Sequence, residues 1–219
     1  MKWIQQFDLI LFDFDGLLVD TEPLHYKAYQ NTCQSLGFTL PWDFSEYCQR
    51  AHTSSDKFRE DLYKTLPDLK EPWDSFYNKK REAIEKLLET EHPELMPGAE
   101  ELLRKIQEKS IPCCVVTHSP DRLVNLIRAK QPLLNTIPLW ITRSDYTHPK
   151  PHPECYQQAI NRYAPKGQVI GFEDSPRGLK ALSGTSAKAV LINPIAYPIV
   201  QEIGALQFDS FESLPEELF

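Results

Sequence analysis

The positions Phe7 to Phe12 (FDLILF) form a short, nearly continuous apolar run that stops abruptly at Asp13-Phe14-Asp15-Gly16. An apolar run of that length predicts a strand buried on both faces of a parallel sheet, because helices cover both faces of such a sheet. From Glu22 to about Glu91 the pattern turns charged and helical. Pro23 suits a first helical turn and Leu36-Gly37 a helix end. Trp73 to Thr90 sets Trp73, Phe76, Tyr77, Ile84, Leu87 and Leu88 largely on one face, while the run from Lys79 to Glu89 reads as a solvated face. No strand pattern interrupts this stretch, so it is expected to be a helical insert.

Pro97-Gly98 opens a return to alternation. Helices are expected at Ala99–Lys109, Asp121–Lys130, Pro153–Arg162 and Pro176–Leu182, and strands at Ile111–Val116, Pro138–Thr142, Gln168–Phe172 and Lys188–Ile192. Strand and helix alternating in this way predict a doubly wound parallel sheet, a Rossmann-like α/β core. The expected division is a core of residues 1–16 and 97–219 and an inserted α-helical domain of residues 17–96, hinges included.

Composition narrows the choice of partner. The 24 basic and 31 acidic side chains leave a formal charge of -7 over 219 residues, which is no footprint for nucleic acid. No apolar run approaches the roughly 20 residues that cross a bilayer. The polar residues Gln5, Gln6 and Asp8 break the only leader-like start. Five cysteines, Cys33, Cys48, Cys113, Cys114 and Cys155, show no metal spacing and are odd in number, and Cys113 and Cys114 read as packing residues of a buried strand. A reduced, cytoplasmic monomer without membrane or nucleic-acid partners is the expectation.

In a parallel sheet, ligands bind beyond the carboxyl ends of the strands. The residues that follow the predicted strands are Asp13 and Asp15; then Thr117, His118 and Ser119; then, after a short loop, Lys150; and finally Glu173-Asp174-Ser175. Acids, hydroxyls and a lysine at one mouth suit Mg2+ with a phosphate, since Mg2+ prefers a few carboxylates plus water and phosphate oxygens and the ammonium takes further oxygens. Asp13 and Asp15, two apart, point the same way from an extended strand. Taken singly, each group has a plainer reading: Asp-x-Asp as a turn, Lys150 as a solvated lysine, Glu173-Asp174-Ser175 as the cap of the helix at Pro176. Cap and ligand roles are expected to coexist there. His118 reads equally as a site-lining and as a structural histidine, and His148 ranks no higher.

These segments resemble the four motifs of the haloacid dehalogenase superfamily, in order: DFDGLLVDTE from Asp13 to Glu22, then VVTHS, KPHPE and GFEDS. The insert resembles the cap of the group that includes beta-phosphoglucomutase and many sugar-phosphate phosphatases. The resemblance implies Asp13 as nucleophile, forming an aspartyl-phosphate, and Asp15 as general acid and base. It implies Mg2+ on the Asp13 carboxylate, the Asp15 backbone carbonyl and Asp174, with Glu173 close by. Thr117 and the N–H after it would hold phosphate oxygens, and Lys150 would balance charge between the phosphate and Asp13. In the cap, His25, Arg50 and Lys80 are candidates for substrate contact, although the loop Gln49-Arg50-Ala51-His52 lacks the glycine that relatives carry. The second aspartate, Asp15, speaks against dehalogenase and phosphonate chemistry. Pro120 and Asp121 stand where the mutase has a lysine and an asparagine, and an acid is a poor host for a second phosphate. The expected activity is therefore Mg2+-dependent hydrolysis of a small phosphorylated metabolite, a sugar or nucleoside phosphate. The alternatives are a sugar phosphomutase and a non-catalytic scaffold that binds a phosphometabolite.

Overall fold

The computed structural model describes residues 1–52, 55–164 and 166–218. The chain divides into two compact units, one of residues 1–20 with 94–219 and one of residues 21–93.

In the first unit six strands form one parallel sheet: β1 (Leu9–Phe12), β2 (Cys113–Val116), β3 (Leu139–Ile141), β4 (Val169–Glu173), β5 (Lys188–Ile192) and β6 (Leu206–Phe208). The second unit carries α1 (Glu22–Ser35), α2 (Phe44–Ala51), α3 (Ser55–Thr65) and α4 (Trp73–Thr90). In the first unit follow α5 (Ala99–Glu108), α6 (Asp121–Lys130), α7 (Glu154–Tyr163), α8 (Pro176–Ser183) and α9 (Pro198–Ile203). The strand order is β3-β2-β1-β4-β5-β6. The chain therefore winds outward from β1 on one side and from β4 on the other, and the order reverses between β1 and β4. That reversal opens a crevice at the carboxyl ends of these two strands.

Burial explains the sheet. All four residues of β1 and of β2 are buried. Leu9, Leu11, Cys114 and Val116 pack with Tyr156, Ala159 and Ile160 of α7 and with Ala181 and Leu182 of α8. Phe12, pointing the other way, stacks on Phe172 at 5.5 Å between ring centroids, and Phe211 meets both rings edge-on. Phe12 pairs in register with Val115 of β2 and Phe172 of β4, so the three strands end at one level.

The second unit has its own aromatic core of Tyr29, Trp42, Tyr47, Phe58 and Phe76, with Leu62 and Leu69. The buried stripe of α4 runs Phe76, Lys80, Ile84, Leu88, a spacing of four that sets a lysine among apolar side chains. Lys80 is therefore no part of a solvated face. Gln49-Arg50-Ala51 is the last turn of α2 rather than a loop, with His52 as its C-cap. Asp43 and Glu46 close a reciprocal capping box at the other end of that helix.

Candidate active site

Four segments deliver polar side chains to the β1/β4 crevice. Asp13 follows β1 directly, its backbone N–H donating to Phe172 O at 3.0 Å. Gly16 then takes a left-handed φ of 77°, which a glycine adopts without strain, and turns the chain so that its N–H reaches Val19 O at 2.9 Å. Asp15, ahead of that turn, accepts at Oδ2 from Ser119 Oγ (2.7 Å) and Thr117 Oγ1 (3.2 Å). Thr117 Oγ1 in turn accepts the Ser119 backbone N–H at 2.9 Å. The loop after β2 thus holds Asp15 through two hydroxyls. Asp13 is buried against a different partner.

That partner is Lys150. Its ammonium shares three hydrogens among four acceptors within reach: Asp13 Oδ1, Glu173 Oε1 (2.7 Å), the Val116 carbonyl (2.9 Å) and the Tyr156 hydroxyl (2.9 Å). The Tyr156 hydroxyl donates onward to Glu173 Oε1. Burial opposes the charge on Lys150, but Asp13 and Glu173 outweigh it and hold the ammonium above its ordinary range. Burial pushes the Asp13 carboxyl up to about 7; Lys150 counters this, while Glu173 and Asp15 add to it. Carboxylate oxygens of Asp13, Glu173 and Asp174 lie within 4.8 Å of one another, all three residues buried. Ser175, next in the chain, caps α8 by accepting the Gly178 N–H at 3.1 Å.

His118 turns to a neighbour. Its Nδ1 is 3.0 Å from the Tyr146 hydroxyl, which donates to the Thr117 carbonyl at 3.1 Å. The single tyrosine proton is then committed, so the imidazole supplies the other hydrogen from Nδ1. Burial, then the charges of Arg177, Arg143 and Lys150, lower the imidazole to about 4 and keep it neutral.

The structure thus brings together Asp13, Lys150 and Glu173, with Asp174 alongside, and separately Asp15, Thr117 and Ser119. Tyr156, Tyr146 and Gly178 were not among the residues singled out from sequence. A Cβ on Gly178 would sit 1.9 Å from Glu173 Oε2, so this glycine makes room for the carboxylate. The readable sign of Tyr156 was its place six residues after Lys150, at the start of α7. In the helical unit, Lys80 Nζ and His25 Nδ1 meet at 2.6 Å, with the ammonium 5.0 Å above the Tyr29 ring. Arg50 pairs with Asp61 at 3.5 Å and lies 4.8 Å over the Trp42 ring.

Residues 7–184 match the family model described as haloacid dehalogenase-like hydrolase. A Drosophila melanogaster protein named "Probable pseudouridine-5'-phosphatase" is 30% identical over 190 residues, covering 83% of this chain and 80% of its own length. Hexitol phosphatase B of Escherichia coli is 24% identical over 190 residues, covering 83% and 82%. The crystal structure of a CbbY mutant from Rhodobacter sphaeroides, in complex with xylulose-(1,5)bisphosphate, superposes with a TM-score of 0.76 at 25% identity, covering 94% of this chain and 95% of that one. With four-fifths of its length matched by the family model and the β1/β4 crevice lined as described, the chain belongs to the haloacid dehalogenase-like hydrolases.

Proposed function

We propose that this hydrolase cleaves a small phosphate monoester, a phosphorylated sugar or nucleoside, through a covalent aspartyl-phosphate on Asp13. The observation that carries the reading is the pairing of Asp13 with the Lys150 ammonium while Asp15, two residues on, is held apart by Thr117 and Ser119. Two carboxylates in different surroundings suit two different tasks.

In this reading Asp13 attacks phosphorus and the alcohol leaves, which divides one displacement into two easier steps. Asp15 delivers the proton to the leaving oxygen and later takes one from the attacking water. Its two hydroxyl partners aim the carboxyl. Lys150 neutralises the nucleophile's charge and that of the phosphoryl oxygens, a requirement because a carboxylate repels a phosphate dianion.

The residues present fit Mg2+. Asp13, Glu173 and Asp174 offer an all-oxygen donor set, and three buried carboxylates against the Lys150 ammonium leave negative charge that a hard cation would neutralise. Asp13 and Asp174 would hold it, with the Asp15 carbonyl. Bound there, the ion supplies charge neutralisation for nucleophile and phosphate together.

Hydrolysis is favoured over phosphoryl transfer to a second sugar position by Asp121. Its carboxylate accepts hydrogen bonds from Ser144 and from Thr142 (2.9 Å), and these hold it below the usual carboxylate range. An anion fixed there repels a second phosphate. The relatives named for pseudouridine 5'-phosphate and hexitol phosphates support the substrate class.

The test is phosphate release from a panel of sugar, nucleotide and polyol phosphates, with Mg2+ and with EDTA, beside Asp13→Asn. Metal-dependent release that the folded variant lacks is expected. Retained turnover in Asp13→Asn would sink the assignment. No release from any ester, followed by isomerisation of a hexose 1-phosphate with a bisphosphate primer, would establish the mutase instead.

A further inference from the structure

The loop that delivers Lys150 carries a second, chemically different cluster. It reads Thr147-His148-Pro149-Lys150-Pro151-His152-Pro153-Glu154, with a candidate ligand two residues to either side of the lysine. The loop folds back on itself: the Glu154 carboxylate accepts the backbone N–H groups of Thr147 (2.9 Å) and His148 (2.8 Å), and the His152 N–H donates to Pro149 O at 3.0 Å. These bonds bring the side chains together. His148 Nδ1 lies 2.6 Å from Glu154 Oε2, and the His148 and His152 rings stand 4.8 Å apart at 37°. One donor atom from each of His148, His152 and Glu154 falls within 4.8 Å of the others.

We propose that His148, His152 and Glu154 form a metal site for a borderline divalent transition-metal ion such as Zn2+, separate from the all-oxygen cluster at Asp13. Two imidazoles and one carboxylate are the donor set that Zn2+ takes with water in its remaining positions, whereas Mg2+ prefers oxygen alone. Both histidines are solvent-exposed, so ion and water have access, while Glu154 is half-buried and fixed. The two backbone N–H bonds, one to each carboxylate oxygen, fix the Glu154 carboxylate in place on the loop. Pro149, Pro151 and Pro153 fix φ around each donor, so the loop loses little conformational freedom on binding. The ion would take the place of the His148 Nδ1–H···Oε2 hydrogen bond: the Nδ1 proton passes to water as the ion binds, and the neutral imidazole carries its one proton on Nε2. The proposal stands whether or not the phosphatase reading does.

The experiment is calorimetric titration of the full chain with Zn2+ in a large excess of Mg2+, for the natural protein, His148→Ala, His152→Ala, the double variant and Asp174→Asn. One equivalent of Zn2+ is expected for the natural protein. Each histidine variant should weaken binding at least about tenfold, the lower end of what even an outer-shell partner is worth, and Asp174→Asn should leave it unchanged. Both histidines are exposed, so melting curves matched to the natural protein will show that the variants fold. Absence of stoichiometric binding, binding retained by the double variant, or binding lost in Asp174→Asn would each overturn the site.

Discussion

Lys150 Nζ lies 2.7 Å from Glu173 Oε1, with both side chains almost fully buried, 5% and 1% exposed. The pair ties the loop after β3 to the last residue of β4. Through Asp13 and the Val116 carbonyl the same ammonium also reaches the ends of β1 and β2. One cation thus gathers four segments far apart in sequence, and the carboxyl ends of the central strands depend on it.

Lys150→Met removes that cation and leaves the buried Asp13 and Glu173 carboxyls without it. Breaking a buried pair on one side costs about 3–5 kcal/mol, so a clear fall in the urea midpoint is expected, together with loss of turnover. Mg2+ should restore part of the stability, because a ligand that binds the native state alone stabilises it. An unchanged midpoint and unchanged turnover would remove Lys150 from the site.

Tyr156→Phe is a finer cut. The ring stays in its apolar setting among Ala159, Ile160 and the β1 side chains, and the hydroxyl shared by Lys150 and Glu173 is lost. A hydrogen bond to charged groups is worth about 1.5–3 kcal/mol. Stability should fall by that order in urea, and turnover should fall while KM for the phosphate ester stays near its natural value. Equal loss in kcat and gain in KM would mean that Tyr156 shapes substrate binding instead.

Gly178→Ala separates helix propensity from fit. Within α8, alanine should stabilise by about 1 kcal/mol over glycine. The added Cβ, however, would stand 1.9 Å from Glu173 Oε2 and 2.0 Å from its Cδ, so the carboxylate must leave its place beside Lys150. Net destabilisation and weakened turnover are expected, read by melting temperature and phosphate release. A more stable, fully active variant would show that Glu173 has room to move.

Short apolar runs ending in polar residues (acids after β1 and β4, Thr117-His118-Ser119 after β2) made these strands legible in the sequence, and with them the positions of Asp13, Asp15, Thr117 and Asp174. Strand β6 escaped because Leu206–Phe208 is three residues long and only half-buried at the sheet edge, so no continuous apolar run marks it. α9, six residues with one buried side chain, carries equally little pattern. α2 left a sign that went unread, Asp43 and Glu46 at capping-box spacing. Lys80 left another, four residues after Phe76 and four before Ile84. The partition of the site was legible in one half only: the resemblance set Lys150 against Asp13, whereas nothing in the sequence set Thr117 and Ser119 on Asp15. That Thr117 and Ser119 hold Asp15 while Lys150 holds Asp13 follows from the level at which three adjacent strands end, a tertiary fact.

His118 sets a pH dependence of stability. Its imidazole is lowered from 6.5 to about 4 by burial and then by Arg177, Arg143 and Lys150. In the unfolded chain it takes a proton near 6.5, while in the native protein it stays neutral down to about 4. Between those values the unfolded state binds more protons, so stability falls as pH drops through this window and is untouched by His118 above it. The shift corresponds to on the order of 3 kcal/mol at most, at about 1.4 kcal/mol per pH unit. His118→Gln does not titrate. Its stability, measured by urea unfolding in EDTA from about pH 4 to about pH 8, should therefore run flatter than that of the natural protein below pH 6.5 and parallel to it above. The variant also loses the hydrogen bond to Tyr146, an offset that is constant above pH 6.5. Parallel curves across the whole range would mean that the native protein admits a protonated His118 among those three cations.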